Sequence, residues 1–100
     1  MSQDSDEIRR QIRTLLTRRL EPSAWAEIDD ALAAIIEALD IGDDAAVARQ
    51  RRRMREVASR RFSRGVDPRL GQPDRRPAAE TTRTLTNKVV DRLAPPRNDA

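Results

Sequence analysis

Eight arginines fall between Arg49 and Arg64, with Glu56 as the one acid among them. A guanidinium is planar, permanently charged and carries five donors, so such a run suits carboxylates, phosphates or a membrane surface. On a helix turning 100° per residue, Arg49, Arg53, Arg60 and Arg64 line up within about 60° of each other. These four are the candidate partner-binding row. Arg51 and Arg61 fall beside the apolar stripe of the same segment, where Asp29 and Asp40 could meet them as ion pairs. The bland reading of the outer row is a solvated face, and the sharper one is a grip on an acidic surface.

Other chemistry has few residues to draw on. The chain has no Cys, His or Tyr, and Lys88 is the single lysine, which removes disulfides, cysteine or histidine metal sites and most nucleophile and base pairings. Asp29 and Asp30 are adjacent, so on a helix they diverge by about 100° and cannot share a proton or a metal. "DIGDD" puts Gly42 third, where a calcium loop needs glycine sixth, and capping accounts for the stretch better. The expectation is a non-enzymatic chain with no catalytic residues, no cofactor and no metal.

The elements that must hold the arginines are helical. Ile8, Ile12, Leu15, Leu16 and Leu20 form one stripe, and Asp4 with Glu7 three residues on resembles a capping box, giving a helix over about 5–20. Pro22 opens a second helix and Gly42 closes it, so it spans 22–41. Its core stripe is Trp25, Ile28, Leu32, Ile35, Ile36 and Leu39. Asp43 or Asp44 caps a third helix over 44–63, with Val47, Met54, Val57, Ala58 and Phe62 inward and Gln50 and Arg51 where an aliphatic residue is expected. Pro68, Pro73 and Pro77, with Gly65 and Gly71, make 64–77 a crossing that neither helix nor central strand can span. Leu85, Val89, Val90 and Leu93 mark a fourth helix over 78–94, and 95–100 is a loose tail. The fold class is all-α, a single small domain over 1–94 built as a four-helix bundle.

Charge is unevenly distributed along the chain. Residues 1–48 hold eleven acids and five Arg, while 49–100 hold six acids and fifteen basic side chains, so a net charge of +3 conceals a dipolar sequence. Glu21 to Asp44 contains eight acids and no basic residue. A short turn at "DIGDD" therefore predicts an antiparallel hairpin of one acidic and one basic helix. No apolar run approaches the roughly 20 residues of a membrane span, and the opening "MSQDSDEIRR" is acidic where a secretory leader is basic and then apolar, so no membrane partner and a cytoplasmic location are expected.

The stretch "LEPSAWAEIDDALAAIIEALDIGDDAAV", followed by a basic helix, a proline-rich crossing and "TTRTLTNKVVDRL", resembles the CATRA-associated small proteins. Leu20, Pro22 and Trp25 carry the Leu–x–Pro–x–x–Trp spacing, and Gly42 with Asp43 follow the long helix. The third helix is richer in Arg here than in the family, where it is more aliphatic. The resemblance implies a short helical component of multi-component bacterial conflict systems, whose other members are caspase-like peptidases and TPR-repeat proteins, and it brings no catalytic residues. The expected function is a protein-binding adaptor or regulator docking on a larger caspase-like or TPR-repeat partner through its Arg-rich helix. A small basic nucleic-acid-binding regulator, in dimeric form among others, is the alternative. Nucleic acid ranks below protein because Trp25 and Phe62 sit on faces the core needs. A small core also leaves room for a second copy of the chain as partner.

Overall fold

The computed structural model describes residues 3–59 and 75–93, which form four helices: α1 (Gln3–Leu15), α2 (Pro22–Ile41), α3 (Asp44–Ser59) and α4 (Glu80–Arg92). Among the described residues there is no strand, only an isolated antiparallel bridge between Leu20 and Arg76. The all-α reading is correct.

Helix α1 departs from the expected 5–20 span at both ends. It begins at Gln3, which places Asp4 inside the first turn instead of ahead of it. It stops at Leu15, beyond which Thr17 and Arg18 donate to the carbonyls of Thr14 and Leu15 in tighter i to i+3 bonds. The Thr17 hydroxyl also reaches the Thr14 carbonyl at 2.6 Å, a local bond that competes with helix continuation. Downstream, Glu21 precedes proline and is extended, with φ −69° and ψ 152°, because an α conformation there would clash with the Pro22 ring. Leu20 is thus released from the helix, yet it remains only 7% exposed, docked through its bridge to Arg76.

Helix α2 has the expected bounds, because its stop signals are local. Gly42 takes φ 74°, and the amides of Gly42 and Asp43 donate to Leu39 and Ala38, the two bonds of a Schellman cap. Asp43 then caps α3 directly, its Oδ1 accepting from the Ala46 amide at 3.1 Å. The connection between α2 and α3 is therefore two residues long, and the two helices pack on each other. Helix α4 starts at Glu80, two residues later than expected, since its N-cap Ala79 is extended, with φ −79° and ψ 171°.

Side-chain bonds give the relative direction of the helices. Gln11 with Arg51 and Arg18 with Ala58 share one sequence offset, 40 residues, so α1 and α3 run parallel. Asp29 with Thr82 and Asp40 with Arg92 are separated by 53 and 52 residues, so α2 and α4 also run parallel. The core lies between these layers. Trp25, Ile28, Ala31, Leu32 and Ile35 of α2 meet Ile8, Ile12 and Leu15 of α1, Met54 and Val57 of α3, and Val89 of α4. Of the expected core residues, Trp25, Ile28, Leu32 and Ile35 are buried, Leu39 is partly buried against the cluster, and Phe62 lies outside the described residues.

The end of the proline-rich crossing is pinned by one carbonyl. Arg76 O accepts from the Leu20 amide at 2.9 Å and from Trp25 Nε1 at 2.8 Å, satisfying a buried indole as its burial requires. Ala78 follows into the core at 6% exposure.

Candidate partner-binding surface

The faces of α3 divide its arginines. Val47, Met54 and Val57 point inward and are nearly fully buried. Arg51, with a side chain 15% exposed, is held by α1: its Nε donates to Gln11 Oε1 at 3.0 Å, its NH2 lies 3.6 Å from Glu7, and Gln11 Nε2 returns a bond to the Arg51 carbonyl. This reciprocal arrangement satisfies a half-buried guanidinium with a carboxylate and an amide.

The expected hairpin ion pairs are therefore corrected. Among the described residues, Asp29 accepts from the Thr82 hydroxyl at 2.6 Å and Asp40 pairs with Arg92 at 2.8 Å, both on α4. Arg51 pairs across to α1 and not to α2, and Arg61 lies outside the described residues. The physical reason is geometry around the bundle. Although α2 and α3 pack together, the carboxylates at these two positions turn toward α4, and the edge of α3 holding Arg51 turns toward α1. A helical wheel gives the angle of a side chain but not the neighbour at that angle.

Of the expected outer row, Arg49 is exposed and Arg53 half-exposed, and neither side chain makes a hydrogen bond or ion pair with a described residue; Arg60 and Arg64 lie outside the described residues. Arg52 sits on the same side and is exposed as well. One turn beyond Arg51, exposed Arg55 instead looks onto α1. There it joins Arg10 and Arg18 around a cleft of about 530 Å³ between α1 and α3, floored by Leu15, Met54 and Ala58. The sequence carries no sign of this cleft, because it depends on a register 40 residues apart.

Asp29 and Asp30 are not brought together with any further acid into a metal-holding group, and no such group of three or more ligands occurs among the described residues. No helix of the described residues is long and apolar enough to cross a membrane.

Four short helices with a divided arginine face define a small all-α protein whose distinctive surface is cationic. The family model for the CATRA-associated small protein matches residues 7–97, and the chain belongs to that family. No curated protein and no solved structure matches it.

Proposed function

We propose that this chain is a non-enzymatic adaptor or regulator that docks on a larger protein of a bacterial conflict system through the exposed arginine side of α3. The division of the α3 arginines carries this reading. Arg51 is committed to Glu7 and Gln11, whereas Arg49 and Arg53 meet no acid among the described residues. Hydrated guanidiniums on a helix face are available for carboxylates of a partner, where charge complementarity raises the association rate and fixes orientation. The chain's own chemistry supports a binding role, since it lacks Cys, His and Tyr altogether. Membership of the CATRA-associated family supports a caspase-like or TPR-repeat component as the partner.

Co-expression of the tagged chain with the products of neighbouring genes tests this. The expected result is a stoichiometric protein complex that weakens in the double variant R49E/R53E. Recovery of no protein partner from either co-expression or the native host overturns the reading. A gel shift with DNA or RNA that is lost steeply between about 50 and 200 mM salt would replace it with nucleic-acid binding.

A further inference from the structure

We infer that the cleft between α1 and α3 is a docking groove for an acidic, amphipathic helical segment of a partner protein. This inference rests on the protein-binding reading above and adds a second surface, with the chemistry of what fills it. Among the described residues, four arginines and one acid line the groove: Arg10 and Arg18 on the α1 side, Arg51 and Arg55 on the α3 side, and Glu7. Two of these are already used to hold the walls. Arg51 ties to Glu7 and Gln11, and Arg18 donates to the Ala58 carbonyl at 2.7 Å. Ties at both ends fix the spacing of α1 and α3 before anything binds, which lowers the ordering cost of association. Arg10 and Arg55 remain, both exposed and with no side-chain hydrogen bond or ion pair to any described residue. They stand on opposite walls of the groove.

The shape selects the occupant. From Glu7 to Leu15 the α1 wall extends roughly 12 Å, and from Arg51 to Ser59 the α3 wall extends roughly 12 Å, at 1.5 Å per residue. That length accommodates about two helical turns at 5.4 Å each. Leu15 and Met54 are 4% and 1% exposed, so the floor is closed and offers only half-buried Ala58 and the methylene stems of the arginines as apolar contact. A fitting segment carries a narrow stripe of small or single aliphatic side chains flanked on both edges by carboxylates. A single-stranded nucleic acid fits worse, because no aromatic side chain among the described residues lines the cleft to stack its bases.

The test uses the full chain and a fluorescein-labelled helical peptide of 14 residues, with Ala and Leu along one stripe and Glu on both edges. A Lys-for-Glu counterpart is the control. Anisotropy is expected to show salt-sensitive binding of the acidic peptide only, and amide chemical shifts should change at Arg10, Thr14, Arg55 and Ala58. The double variant R10E/R55E should weaken binding by about tenfold or more while its helical circular dichroism is kept. Thr14→Tyr, which fills the groove without altering charge, should weaken it as well. Binding unaffected by both variants overturns the inference, as do shifts confined to the Arg49 and Arg53 side. It is also overturned by tighter binding of a single-stranded RNA at the same amides, or by self-association abolished in R10E/R55E with no peptide binding. Failure of the adaptor reading is separable: if the native partner is never captured, that reading falls while the peptide titration still reports on the cleft. If capture is lost in R49E/R53E and kept in R10E/R55E, the adaptor reading stands and the groove does not.

Discussion

Gln50 interrupts the inward stripe of α3, three residues after buried Val47 and four before buried Met54. Its Oε1 is buried and has no hydrogen-bond partner among the described residues. An acceptor left unpaired in the interior loses its water without compensation, at a cost of about 1–3 kcal/mol. Gln50→Met keeps the unbranched length of the side chain and replaces the amide with a polarisable thioether that packs well against irregular surroundings. Because the residue as a whole is only half-buried, the gain belongs near the lower end, about 1 kcal/mol. For a domain of this size that raises the melting temperature by about 4–8 °C. Urea titration followed by circular dichroism should show a higher midpoint with an unchanged slope, at two protein concentrations, so that self-association is not mistaken for intrinsic stability. Gln50→Ala should lower the midpoint, since it removes packing atoms as well as the amide. A midpoint for Gln50→Met equal to or below that of the parent chain would refute the assignment of an unpaired acceptor at this position.

Other perturbations have expected outcomes on the same scale. Gly42→Ala should destabilise by about 1–2 kcal/mol in urea titrations, entirely through its left-handed φ, because a Cβ there meets nothing within 4 Å; Gly42→Asn should lose less. Asp43→Ala removes the α3 cap and should cost about 1 kcal/mol, read as a lower melting temperature. Thr82→Val preserves shape at a fully buried site but strips Asp29 of its hydroxyl donor, for a loss of about 1.5 kcal/mol by chemical denaturation. Trp25 is the one tryptophan, so its emission reports directly on the docked end of the crossing. In the parent chain that emission should shift to the red at the same urea concentration at which helicity is lost, and an earlier shift would show that the crossing undocks on its own.

The parts of this structure that were legible in the sequence are those set by neighbours a few residues apart. Pro22 and Gly42 delimit α2 because proline fits a first turn and glycine a left-handed cap, and Asp43 caps α3 for an equally local reason. The early end of α1 was less visible. Leu20 continues the apolar stripe in projection, but it is used for a backbone bridge to a residue 56 positions away. Thr82 and Thr86 of α4 are 0% and 2% exposed although their type suggests solvent. Each hydroxyl is satisfied, one by Asp29 and the other by the Arg83 carbonyl, and only the folded arrangement supplies the first of these. The candidate site divides in the same way. Periodicity separated the two sets of arginines on α3, but the partner of Arg51, and with it the cleft, followed from the parallel register of α1 and α3.

The junction at Arg76 has a consequence for which substitutions the chain can absorb. Leu20 and Trp25 both anchor on the main-chain oxygen, and the main-chain nitrogen of the same residue donates to the Leu20 carbonyl. The guanidinium plays no part in these three bonds, so they need only the main-chain N–H and carbonyl at this position. Proline is the exception, having no N–H to offer Leu20. The corner therefore depends on the leucine, the indole and the main-chain atoms of position 76, and a proline there would untie it from one side only.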